Sequence, residues 1–207
     1  MGNVHKLKDL KTIEFKLKHL PEGAKIKYFS DETFLLRAIS TACYVPELDT
    51  IYIHKKTQDL YKADYVAYLF VLLHEVAHAT SHPKRLNRDY MSYYSFNSRR
   101  SVYQYLKEQF NNFTLTPEEY DKEYNTDVSL KCYKEEILAD RVALEIFKKL
   151  GIATDSYAVR RKIDIASFKR KLKKKCKSID TYRDHLQDIV KKTNTTVNYL
   201  CQLLEIE

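Results

Sequence analysis

The stretch LLHEVAHATSH, residues 72 to 82, sets His74 and His78 four apart, with Glu75 directly after the first. A helix advances about 100° per residue, so positions four apart lie about 40° from each other and one turn apart, on one face. Two imidazole nitrogens so placed can converge on one ion. Zn2+ prefers a tetrahedral set of nitrogen and oxygen donors, and a catalytic site keeps one position for water. Glu75 falls on the neighbouring stripe, where it can reach that water without being a ligand and serve as general base. The bland alternative is a pair of core histidines satisfied by backbone carbonyls, with Glu75 paired to a lysine.

A third donor is required, and cysteine does not offer it. Cys43, Cys132, Cys176 and Cys201 are scattered with no C-x-x-C pair, a pattern that points to reduced thiols and a cytoplasmic setting. Further along, KCYKEEILADRVALEIFKKLG, residues 131 to 151, carries Glu135, Glu136 and Asp140. Glu136 and Asp140 are again four apart. One carboxylate can bind metal while the other accepts a hydrogen bond from the outer nitrogen of a ligand histidine, fixing its tautomer. Glu135 sits about 100° off that stripe and is expected to be exposed.

These residues need two helices to position them. From Asp59 to Ser81 the chain reads as one helix, capped by Asp59, closed by Pro83 and apolar on most sides. A charged Glu75 inside such a helix is destabilising unless paired. In the second helix Leu138, Val142, Ile146 and Leu150 form one apolar stripe, Ala139, Ala143 and Phe147 the next, and Gly151 ends it. GAKIKYF (23–29) and DTIYIHK (49–55) alternate apolar with polar residues as strands do, and FLLRAISTACYV (34–45) reads as a short helix or turn followed by another strand. Residues 82–130 form an excursion with a helix at RSVYQYLKEQF. Two further helices are expected at 156–176 and 179–205, the latter capped by Ser178 or Asp180.

The net charge of +8 is unevenly spread, with ten Lys or Arg against two Asp in residues 160–180. Such a block raises nucleic-acid contact through 160–177 as a hypothesis, against the alternative of a solvated helix face; Phe168 is the one aromatic that interrupts it. No apolar run approaches the roughly 20 residues of a membrane span, and the Lys-rich start lacks the apolar core of a secretory signal, so a cytoplasmic protein is expected.

The stretch CYVPELDTIYIHKKTQDLYKADYVAYLFVLLHEVAHATSHPKRLNRD resembles the zincin-like metallopeptidase domain of ArdC-type antirestriction proteins, and YKEEILADRVALEIFKKLGI resembles the downstream acidic helix of that family. The matching features are Tyr44-x-Pro46, Asp49-x-Ile51, the zinc helix, Thr80-x-His82, Arg85-Leu86-x-Arg88, and Glu136 with Asp140. The resemblance implies an α+β, mostly helical zincin-like fold with a small sheet beside the H-E-x-x-H helix. It further implies His74, His78 and Glu136 on Zn2+, Glu75 as base, and Asp140 as partner of a ligand histidine. Ala79 stands where the family usually has an aromatic residue and Ser81 where it usually has glycine, and the excursion is longer than typical. The family's separate single-stranded-DNA-binding domain has no room in 207 residues.

The expected organisation is a basic helical extension over 1–22 and one zincin-like domain over 23–207, with an insertion at 82–130 and basic C-terminal helices over 156–207. The expected activity is zinc-dependent hydrolysis of a peptide bond in a protein or peptide substrate, and the resemblance implies a phage, plasmid or mobile-element setting. The rival is a nucleic-acid or host-factor binding module that keeps the fold. His82 is a candidate for substrate or oxyanion contact, or alternatively a cap on the zinc helix. Arg85 and Arg88 would fix the following loop or meet an acidic substrate. The strand at 49–55 is expected to be the sheet edge that receives an extended peptide.

Overall fold

Helical periodicity and two-residue alternation resolve into eight elements in the computed structural model, which describes residues 7–20, 24–29, 42–45, 50–55, 59, 64–81, 128–152 and 155–206. In chain order these are α1 (Leu7–Lys18), β1 (Lys25–Phe29), β2 (Ala42–Val45), β3 (Thr50–His54), α2 (Tyr65–Ser81), α3 (Val128–Lys149), α4 (Asp155–Lys175) and α5 (Ile179–Leu204). The fold is α+β, mostly helical, with the small sheet packed beside α2. The helix expected at RSVYQYLKEQF, His82, Arg85 and Arg88 lie outside the described residues.

The sheet runs in the order β1-β3-β2, with β3 parallel to β1 and antiparallel to β2. This corrects the expectation for residues 49–55: β3 is the central strand, not the edge. Its composition explains why. Thr50, Ile51, Ile53 and His54 are all buried, as befits a strand covered on both faces, whereas Lys25 and Lys27 of β1 are exposed.

Helix α2 starts later than Asp59, and Asp64 serves as its cap. The Asp64 carboxylate accepts from the Ala67 N–H at 3.0 Å, and its carbonyl accepts from the Tyr68 N–H. From Ala67 to His78 every residue is buried, so this helix forms the axis of the core. Helix α3 packs along it through the expected stripe, Leu138, Val142, Ile146, Ala139, Ala143 and Phe147, with Phe147 edge-on to Phe70 at 5.3 Å between ring centres. Gly151 then adopts a φ of 65° and the Ile152 N–H returns to the Phe147 carbonyl, which ends the helix. Glu135 is half-buried rather than exposed, because α2, α4 and α5 all pack against α3 and leave it little free surface.

Helix α1 contributes Leu10, Ile13 and Leu17 to the same core, and a polar cluster anchors it at the start of α2. Tyr65 OH donates to Glu14, which also pairs with Lys18, while the Tyr28 and Tyr68 hydroxyls meet at 3.1 Å. Lys16 reaches the carbonyl of Leu204 at 3.2 Å and Glu205 at 2.7 Å, placing a cation on the C-terminal end of α5. At the other end of α5, Ser178 is the cap that accepts from the Thr181 N–H. No described helix is long and apolar enough to cross a membrane.

Because Phe147 fills the seam between α2 and α3, Phe147→Ala is expected to cost about 3–5 kcal/mol of stability, measured by chemical denaturation.

Candidate active site

The helical spacing of α2 brings His74 and His78 together on its α3-facing side. Their rings meet edge to face at 4.7 Å between centres, and the two Nε2 atoms lie 3.1 Å apart. On α3, one turn separates Glu136 from Asp140. Glu136 places Oε2 3.5 Å from His74 Nε2 and Oε1 3.7 Å from His78 Nε2. Asp140, fully buried, accepts from His74 Nδ1–H at 2.9 Å. A carboxylate only accepts, so this bond fixes a His74 proton on Nδ1 and turns Nε2 toward His78 and Glu136.

Glu75 lies on the adjacent stripe, only 6 % exposed. Burial pushes its carboxyl up to about 7; the Glu136 charge adds to this, while His74, the Tyr44 backbone N–H and Arg161 pull it back. The Tyr44 contact ties the base to the sheet, since that N–H comes from β2. Burial also acts against a charge on His74, yet its bond to Asp140 and its contact with Glu136 outweigh this and raise it well above the usual histidine range. For Glu136, burial is again the opposing influence, and the two histidines nonetheless hold it down at about 2.

The donor set fits a divalent ion. His74, His78 and Glu136 each offer one atom, and these atoms all lie within 4.8 Å of one another. In a tetrahedral site with bonds of about 2.0–2.1 Å, neighbouring ligand atoms are separated by about 3.3–3.4 Å. The Nε2–Nε2 separation of 3.1 Å and the 3.5 Å from His74 Nε2 to Glu136 Oε2 bracket that value, and the other Glu136 oxygen lies 3.7 Å from His78 Nε2. Among the described residues no other cluster of histidine, cysteine and carboxylate meets the same test.

Residues 30–98 match the family model MPTase-PolyVal, described as a zincin-like metallopeptidase. The chain carries a zincin-like metallopeptidase domain. Comparison with curated proteins and with solved structures finds no match. The matched span includes β2, β3 and α2, and so both histidines and Glu75 of the zincin-like domain. Glu136 and Asp140 fall outside it, and their assignment to the site rests on the geometry of α3.

The structure therefore brings His74, Glu75, His78, Glu136 and Asp140 to one place, as the spacing of the two motifs required. At the end of α2, Ser81 donates to the carbonyls of Ala77 and His78, and Thr80 to that of Val76. Tyr133, the tyrosine nearest the acidic pair in sequence, packs beside Phe168 with Lys171 over its ring, away from any catalytic duty.

Two contributors escaped the sequence reading. One is the Tyr44 backbone N–H, which no side-chain pattern reveals. The other is Arg161, whose Nη1 lies 3.7 Å from Asp140 Oδ1. A signal for it exists. Arg161, Ile165, Phe168 and Leu172 recur at helical spacing, so this arginine stands on the inward stripe of α4 while the lysines of the same segment face outward.

Asp140 and Glu136 favour a proton on His74, so an incoming ion competes with that proton for the ring. Calorimetric titration with zinc at pH 7, in buffers of different ionisation enthalpy, should give one ion per chain with net proton release. Affinity should fall on acidification. Glu136→Ala should abolish stoichiometric uptake; uptake without proton release would contradict the assigned charges.

Proposed function

We propose that the chain is a zinc-dependent metallopeptidase with His74, His78 and Glu136 as metal ligands, Asp140 holding His74, and Glu75 as general base. The observation that carries this reading is the buried Glu75, next in sequence to His74 of a three-donor cluster whose atoms all lie within 4.8 Å of one another. A zinc ion held there supplies Lewis acidity, polarising the scissile carbonyl and acidifying a water. Glu75 takes the proton of the attacking water and hands it to the leaving amine. Its environment suits both tasks: a carboxyl poised near 7 accepts a proton readily and gives it up again.

For the substrate we propose an extended peptide laid along β2. Among the described residues β2 has β3 on one side and no strand on the other, and its Tyr44 N–H already faces Glu75. A strand added at that edge would run past the base. The setting we propose is that of the ArdC-type resemblance, a cytoplasmic peptidase of phage, plasmid or other mobile-element type.

Glu75→Gln should leave zinc content and circular dichroism unchanged while lowering kcat by at least about 10²-fold, in line with loss of a general base. Turnover surviving that change would remove Glu75 from the chemistry. The positive charge of a bound metal acts on Glu75 in the same sense as His74 and Arg161. The acid limb of kcat/KM is therefore expected below about 7, with activity lost as pH falls and Glu75 becomes protonated.

One observation favours a second, compatible role. Lys162, Arg170, Lys173, Lys174, Lys175 and Lys177 are exposed along α4 and its end, and none of them forms an ion pair among the described residues. We propose this face as a contact for nucleic-acid phosphates; Arg161, turned inward, is withdrawn from it. If so, replacing Lys173, Lys174 and Lys175 with glutamine should reduce the slope of log affinity against log salt by roughly 2–3. An unchanged slope would leave α4 as a solvated surface.

A further inference from the structure

Asp140 is a buried charge with an incomplete set of partners on its own helix pair. Its Oδ1 accepts from His74 Nδ1–H at 2.9 Å, and its Oδ2 is sealed from solvent with no hydrogen-bond partner among the described residues. A fully buried carboxylate with one oxygen left without a hydrogen bond is strongly destabilising unless positive charge lies close to it. Helix α4 provides it. Arg161 Nη1 stands 3.7 Å from Asp140 Oδ1 and 3.8 Å from Asp164 Oδ2, and the guanidinium carbon lies 5.6 Å from the centre of the Phe70 ring.

Phe70 precedes His74 by one turn on the same face of α2. The guanidinium is thus seated on α2 through an aromatic face and aimed at α3 through a carboxylate, at the junction of three helices. We infer that Arg161 is a positioning residue of the metal centre: it holds the Asp140 carboxylate in place, and through Asp140 it fixes the orientation of His74. A residue from the basic C-terminal segment thereby becomes part of the support for a ligand on α2, and α4 is required for a correctly formed centre as well as for the core.

The inference rests on the metal-site reading of His74 but not on catalysis, so zinc affinity of the whole chain, measured by chelator competition without substrate, tests it separately from the peptidase reading. Arg161→Met should weaken zinc binding by about tenfold or more, the range seen when an outer partner of a ligand is lost. Asp140→Asn should weaken it as well, and the double variant should bind within about twofold of Asp140→Asn alone, because Arg161 acts through Asp140. A purely structural role for Arg161 would instead give losses that add in full.

Arg161→Lys keeps the charge but ends about one bond short of Nη1, so an intermediate loss is expected. Should Arg161→Met lose the helical circular dichroism of the folded chain, Arg161→Lys carries the test. Wild-type zinc affinity in the folded variant, or full additivity with Asp140→Asn, overturns the inference. Loss of turnover in Glu75→Gln, or its survival, leaves the inference untouched.

Discussion

The hydrogen bond from His74 Nδ1 to Asp140 Oδ1 joins two helices that otherwise meet through apolar side chains and through Glu136 against His74 and His78. It sets the rotation of α2 against α3, since only one rotation of each helix brings these atoms within 2.9 Å. Once that is fixed, the remaining site follows from helical geometry. His78 and Glu136 lie one turn from the bonded pair on their respective helices and therefore meet each other. Glu75, next to His74, turns toward β2 instead and takes its N–H bond from there. The apolar stripe of α3 and the fully buried run of α2 give the seam its rigidity, and the polar bond gives it its register.

Such an arrangement opposes stability as well as serving it. Two imidazoles and three carboxylates are gathered in a core that would be more stable without them. The pattern of shifts records the conflict: Glu75 is pushed toward neutrality by burial, whereas His74 and Glu136 are driven to opposite charges by each other and by Asp140. A divalent ion held by His74, His78 and Glu136 would relieve it by placing positive charge where the three donors meet. The zincin-like domain is then expected to be most stable when loaded, its metal linking folding to function.

Much of this was legible in the sequence because helices translate spacing into direction. His74 and His78, and separately Glu136 and Asp140, share a face by virtue of being four apart, and apolar stripes announced which faces are buried. Two strands were visible through alternation and β2 only as the end of a stretch that opens as a helix or turn, while the order of the three was not visible. TIYIH looks like an edge strand only until β1 and β2 are seen on both sides of it. Strand order depends on contacts distant in sequence, which local pattern does not encode. Arg161 was hidden for a different reason. In a run of Lys and Arg its inward stripe is masked by the charge of its neighbours, and only the packing of α4 against α3 separates it from them. The Tyr44 N–H, being backbone, leaves no trace in residue type at all.

The central claim is that α2 and α3 together close one metal centre. Diffraction from zinc-loaded crystals, recorded at the zinc absorption edge, locates the ion directly. The account predicts a single strong anomalous peak about 2.0–2.1 Å from His74 Nε2, His78 Nε2 and a Glu136 oxygen, with Glu75 near but unbound. An ion held without Glu136, or one bonded to Glu75 in its place, would contradict it.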